Sequence, residues 1–62
     1  MLQPFDIFRV AADGQLLWRT AAETLETAQR RVKILMATEP NDYVIFCQET
    51  GKKTLVRASD SR

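Results

Sequence analysis

The sequence predicts an α+β fold: a four-stranded antiparallel sheet in the chain order ββαββ, with one helix packed on one face. Four short apolar segments are typical of strands, glycine-containing turns join them in two pairs, and one segment of helical period lies between the pairs. At 62 residues the chain has room for one domain, 1–62. We expect an ordered core of about 5–57, with loose ends at 1–4 and 58–62.

The first hairpin is predicted from "FDIFRVA" and "QLLWRT", which flank "ADG". Gly14 stands third in the turn, where a type I turn followed by a left-handed residue makes a three-residue loop. Counting outward from that loop places Val10 opposite Leu16 and Phe8 opposite Trp18. A two-residue loop would shift these pairings.

The helix is predicted from about Leu25 to Ala37, because one apolar stripe recurs there at steps of three and four residues. That stripe consists of Leu25, Ala28, Val32, Leu35 and Met36. Thr24 is the preferred N-cap, whereas Thr20 with Glu23 forms a competing capping box that would start the helix four residues earlier. Pro40 ends the helix.

The second hairpin is predicted from "YVIFCQ" and "KTLVR", which flank "ETG", with Gly51 third in the turn. A three-residue loop places Phe46 opposite Thr54 and Val44 opposite Val56. A right-handed crossover from the second strand to the third that skips the first gives the strand order 2-1-3-4. The lysine-bearing fourth strand then lies at an edge, where lysine discourages stray pairing.

Both faces of this sheet are apolar, and one helix can cover only one of them. We expect the helix to cover the purely apolar set, which consists of Phe8, Val10, Leu16, Trp18, Val44, Phe46 and Val56. The predicted open face mixes aliphatic, aromatic and basic residues. Its candidate partner-binding residues are Phe5, Ile7, Arg9, Leu17, Arg19, Tyr43, Ile45, Lys53, Leu55 and Arg57.

The residue content argues against catalysis. There is no histidine, so the commonest general base and metal ligand is missing, and Cys47 has no histidine to activate it. Asp6 falls near the start of the first strand, most simply at the rim of the core, where it could bond to backbone or to Thr20. We therefore expect a non-enzyme with no catalytic residue, no metal and no cofactor.

The same composition limits where the protein is expected in the cell and what it is expected to bind. A lone cysteine is typical of reducing compartments, no signal peptide is evident and no apolar run could span a bilayer, so we expect a cytoplasmic protein. The formal net charge of +1 argues against a global field that would capture nucleic acid.

The pattern from "IFRV" through "LLWRTAAETLETAQRRVKILM" to "YVIFCQETGKK" resembles small bacterial proteins of uncharacterised function. These carry a tryptophan, a Ser/Thr-Leu-Glu-x-Ala helix start and a Tyr-x-x-Phe strand that ends in Thr-Gly. The resemblance implies a ββαββ fold and a bacterial source, and it brings no catalytic or binding residue with it.

Two functions fit the predicted open face. The first is a structural or interaction protein that buries this face against a second copy, since an apolar patch of several hundred Å² is near the limit for a monomer. The alternative is a module that binds single-stranded nucleic acid or an acidic partner. In that alternative, Phe5 and Tyr43 stack bases while the arginines and lysine contact phosphates.

Overall fold

The computed structural model describes residues 3–58 of the chain. Its elements, in chain order, are β1 Phe5–Val10, β2 Leu16–Ala22, α1 Leu25–Thr38, β3 Tyr43–Cys47 and β4 Lys53–Val56. The four strands form one sheet in the order β2-β1-β3-β4, with every neighbouring pair antiparallel. Helix α1 packs on this sheet, so the predicted α+β fold and its strand order are confirmed.

The predicted loose ends fall mostly outside the described residues, which exclude 1–2 and 59–62. The described residues next to these ends, Pro4 and Ala58, form backbone hydrogen bonds. The carbonyl of Pro4 accepts from the backbone N–H of Gln48 at 2.8 Å, and the backbone N–H of Ala58 donates to Asp42 Oδ1 at 3.0 Å.

Helix α1 begins at the predicted cap. The hydroxyl of Thr24 accepts from the backbone N–H of Thr27 at 3.1 Å, and Thr24 has the extended backbone of an N-cap. Thr20 belongs to β2, which excludes the competing start. Ala28, Val32 and Met36 form the buried stripe, whereas Leu25, which we expected in it, is 42% exposed.

The first hairpin has the predicted three-residue loop and register. Ala11 and Gln15 close it through a 2.8 Å backbone hydrogen bond, and Gly14 has a φ of +90°. Val10 pairs with Leu16 and Phe8 with Trp18, as predicted. A bulge follows further along β2.

The predicted register of the second hairpin is wrong by one residue. Cys47 donates its backbone N–H to the carbonyl of Lys52, so the loop spans four residues, 48–51, rather than three. Phe46 consequently pairs with Lys53 instead of Thr54, and Val44 pairs with Leu55 instead of Val56. This shift of one residue turns each side chain of β4 to the face opposite the predicted one, because neighbouring side chains along a strand point to opposite faces.

The helix covers the opposite face from the one we predicted. The core joins Ala28, Val32 and Met36 of the helix to Ile7, Tyr43 and Ile45 of the two central strands. Ala22 completes it, and Phe5, Leu35 and Val56 pack against its margin. Because strand side chains alternate, Phe8, Val44 and Phe46 point away from the helix.

Candidate interaction surface

One face of the sheet carries no helix, and its side chains are mostly apolar. We call it the uncovered face and define it by the outward positions of the four strands: Asp6, Phe8, Val10, Leu16, Trp18, Ala21, Val44, Phe46, Lys53 and Leu55. One row runs across all four strands from Trp18 through Phe8 and Val44 to Leu55. The next row brings Asp6, Phe46 and Lys53 together on adjacent strands.

The ends of the apolar row are the most open to solvent. Trp18 is 59% exposed and Leu55 52%, whereas Val44 at the centre is 9% exposed. Leu16, in the neighbouring row on β2, is 44% exposed. Large apolar side chains therefore lie exposed along both outer strands, with a closer-packed middle between them. Contiguous apolar surface of this kind marks interaction sites on small proteins.

An apolar hollow of about 210 Å³ opens on the uncovered face. It is lined by Phe8, Leu16, Val44, Phe46 and Lys53. The pockets that hold cofactors or drug-sized molecules measure about 300–1,000 Å³. A cavity of about 150 Å³ is enough to admit benzene. The hollow therefore matches one large side chain better than a cofactor.

Asp6 accepts hydrogen bonds from two side chains at the rim of the uncovered face. Its Oδ1 accepts from the indole Nε1–H of Trp18 at 3.3 Å, and its Oδ2 accepts from the side-chain amide of Gln48 at 2.6 Å. We expected Asp6 to bond to backbone or to Thr20, but in the structure its hydrogen-bond partners are Trp18 and Gln48. The indole is thus oriented by a carboxylate one strand away while most of its surface stays exposed.

Of the ten candidate residues of the predicted open face, only Lys53 and Leu55 lie on the uncovered face. Ile7, Tyr43 and Ile45 are core residues with at most 1% exposure, so their expected availability to a partner is wrong. Phe5, Arg9 and Leu17 share their side of the sheet, Arg19 is the extra residue of the bulge, and Arg57 is exposed just after β4. The cross-strand pairs show this placement directly, with Phe5 opposite Cys47 and Arg9 opposite Tyr43.

The apolar set predicted for the core lies on the uncovered face instead. Phe8, Val10, Leu16, Trp18, Val44 and Phe46 were recognised as one purely apolar face from the alternation of the strands, and that grouping is correct. The predicted side of the helix is wrong, and so is the place of Val56 in this set. Val56 moves to the helix side because the second hairpin slips by one residue.

Arg19, which we expected on an open surface, lies instead near the C-terminal end of α1. Arg19 Nη2 is 3.1 Å from Glu39 Oε1. This contact is an ion pair without hydrogen-bond geometry, since that oxygen has no hydrogen-bond partner within 3–58. The last turn of α1 has no basic residue of its own, so Arg19 supplies positive charge at the negative end of the helix dipole.

Tyr43 joins this group from the core. Its hydroxyl donates to the carbonyl of Glu39 at 2.8 Å. Burial raises the pKa of Tyr43 above 10.0, and the charge of Glu39 adds to the rise, while Arg19 and Arg9 oppose it. Tyr43 therefore anchors the end of the helix and is not available for base stacking.

Two further findings concern the thiol of Cys47 and the metal-ligand side chains of the described residues. Cys47 is partly buried at the end of β3, and hydrogen bonds from Thr50 lower the pKa of its thiol. Among residues 3–58 no three His, Cys, Asp or Glu side chains are grouped as metal ligands would be. Over the same residues, α1 is the one helix and is too short and polar to cross a membrane.

Comparison with protein family models, with curated proteins and with solved structures finds no match to this chain. The resemblance to small bacterial proteins accordingly stays a prediction from sequence motifs.

Proposed function

We propose that this protein is a small interaction protein that self-associates by stacking the uncovered face of its sheet on that of a second copy. The observation that carries the proposal is an apolar row crossing all four strands with no helix over it, ending in Trp18 and Leu55, each more than half exposed. Two sheets stacked about 10 Å apart would remove this row from water.

The charge pattern of the uncovered face supports a second copy as the partner. Within the described strands it carries one acid, Asp6, and one base, Lys53. The face we predicted from the sequence held four basic residues, whose mutual repulsion would oppose stacking. Because Arg9 and Arg19 lie on the helix side or in the bulge, two of those four charges are absent from the stacked faces.

The area is sufficient for a modest dimer. Stacking two faces of this size would bury roughly 1,200 Å² in total, the lower end of the range for stable interfaces. We therefore expect a dimer that dissociates on dilution and persists in high salt, since apolar contacts provide most of its stability.

The test is sedimentation over a hundredfold range of concentration, with one variant on each side of the molecule. Leu55→Glu places a charge on the uncovered face, and Ile34→Glu places one at a 64% exposed position on the helix. We expect Leu55→Glu to raise the dimer dissociation constant at least tenfold and Ile34→Glu to leave it unchanged. A wild-type protein that is monomeric throughout, or equal effects of the two variants, would refute the proposal.

A second candidate function is binding of single-stranded nucleic acid, which the three aromatic rings of Phe8, Trp18 and Phe46 on the uncovered face favour. Lys53 is the one base there within the described strands, so the phosphate contacts expected of such a module are few. Titration of a fluorescent oligothymidylate at low and high salt distinguishes the two. Salt-sensitive binding by a monomer would favour this candidate, and absence of binding would eliminate it.

A further inference from the structure

The uncovered face presents both a protruding aromatic side chain and a hollow that could receive one. Trp18 on β2 is the most exposed residue of the apolar row at 59%. The hollow is centred one to two strands away, over β1 and β3. We infer that each copy inserts Trp18 into the hollow of the other, so that two identical contacts anchor the dimer. This inference rests on the self-association proposed above.

The size and chemistry of the hollow fit an indole. Its volume of about 210 Å³ exceeds the cavity that admits benzene and falls below pockets for small molecules. Four of its five lining residues, Phe8, Leu16, Val44 and Phe46, are apolar. The fifth, Lys53, lines the hollow with the methylene groups of its side chain, which also suit an apolar ring.

The geometry of the sheet allows both insertions at once. A twofold axis lying between two stacked sheets, parallel to the strands and between β1 and β3, exchanges β1 with β3 and β2 with β4, so that all four strands of each copy are covered. Trp18 of each copy then lies over β4 of the other, beside the edge of the hollow that Lys53 lines. Its ring has to reach inward by one strand spacing, about 4.8 Å.

The indole is already oriented in the single chain. Its Nε1–H donates to Asp6 Oδ1 at 3.3 Å, which satisfies the polar atom of the ring without help from a partner. A side chain fixed before association loses less conformational entropy on binding. A tryptophan that fills a pocket at the centre of an interface is also the typical hot-spot residue.

Trp18 is the sole tryptophan of the chain, so its fluorescence reports directly on this contact. On dimerisation we expect its emission to shift to shorter wavelength and its quenching by acrylamide to fall, in step with the mass measured by sedimentation. Trp18→Ala should raise the dimer dissociation constant at least about 30-fold. Ile34→Ala, which removes another exposed apolar side chain, is the matched control and should change it little.

A mixing experiment tests the reciprocal insertion. Trp18→Ala keeps the hollow but lacks the ring, and Leu16→Arg keeps the ring but obstructs the hollow. Each alone should be monomeric and folded by circular dichroism, while the mixture should form a heterodimer. In that heterodimer one ring enters one open hollow, and the new arginine occupies the space left by the missing ring.

The outcomes separate this inference from the proposed function. A wild-type dimer in which Trp18 stays equally quenchable, or in which Trp18→Ala still dimerises, overturns the insertion and leaves self-association standing. Monomeric variants that fail to form the heterodimer also overturn it, because Trp18 would then contact something other than the hollow. A wild-type protein that is monomeric at every concentration overturns both.

Discussion

Single residues in this sheet have environments set by the face to which they point. Ile45 and Leu55 are aliphatic residues on neighbouring strands, yet Ile45 is 1% exposed under the helix and Leu55 is 52% exposed on the uncovered face. The sequence assigns both to the same predicted open face, so it does not distinguish their environments. Introducing a charge should therefore lower the free energy of unfolding more at Ile45 than at Leu55.

Ile45→Glu is expected to unfold the protein or destabilise it by about 4 kcal/mol or more, because it places a carboxylate in the core. Leu55→Glu should keep the chain folded, with a loss within about 1 kcal/mol, because the new side chain reaches water. Urea unfolding followed by circular dichroism measures both. The comparison is made at a concentration low enough for monomers, and a stable Ile45→Glu variant would contradict the assigned core.

Tyr43 should make stability fall at alkaline pH. Its pKa is raised in the folded state, so the stability it contributes is fully present below 10.0, the unfolded value, and is lost as the pH rises through the folded pKa. Tyr43 is the sole tyrosine, so its ionisation can be followed by absorbance. Above about pH 10 the urea midpoint of the wild type should fall more steeply than that of Tyr43→Phe. Parallel pH profiles would show that Tyr43 ionises normally.

The elements differ in how far local sequence determines their limits. Helix α1 starts at Thr24 and not at Thr20, although both threonines precede a suitable pattern. The bulge at Arg19 turns Thr20 and Ala22 toward the helix side and keeps this segment in the sheet, paired with β1. Tertiary pairing thus decides between two caps that the sequence left open.

Thr24→Ala should destabilise the protein by about 1 kcal/mol, because the backbone N–H of Thr27 loses its acceptor. Glu23→Ala is the control, since Glu23 is exposed, lies before the cap and belongs to the excluded capping box. Its effect should stay within about 0.5 kcal/mol. Chemical denaturation of both variants tests this, and an equal or larger loss for Glu23→Ala would indicate the earlier helix start.

The two hairpins show why a shared turn motif does not give a shared register. Gly14 and Gly51 both adopt positive φ, at +90° and +74°, as their turn positions require. In the second hairpin, however, the backbone N–H of Gln48 donates to Pro4 and its side chain to Asp6. These bonds to a segment more than forty residues away accompany a four-residue loop, and nothing in "ETG" itself indicates them.

At the scale of the whole molecule, one helix and four strands leave half of the sheet surface without a cover. A chain this small buries only about 60% of the surface that its unfolded form exposes. Burial between two copies would add to the stability of each, which makes folding and association linked equilibria. That linkage can be measured without detecting the dimer directly.

The melting temperature of the wild type should rise with protein concentration over a hundredfold range, because the dimer is favoured by mass action. The melting temperature of Leu55→Glu should be independent of concentration, since this variant is expected to remain monomeric. Calorimetry or thermal circular dichroism provides the measurement. A concentration-independent wild type would argue against association in the folded state.

The sequence by itself determined the elements, the strand order, the first hairpin and the grouping of Phe8, Leu16 and Trp18 on one face. These follow from periodicity, turn chemistry and the handedness of crossovers, which act over short stretches of chain. Only the tertiary structure decided which face the helix covers, because both faces are apolar enough to form a core. The choice depends on the bulge that turns the end of β2 toward the helix and on the crossover that carries α1 over the sheet, and both bring together residues distant in sequence.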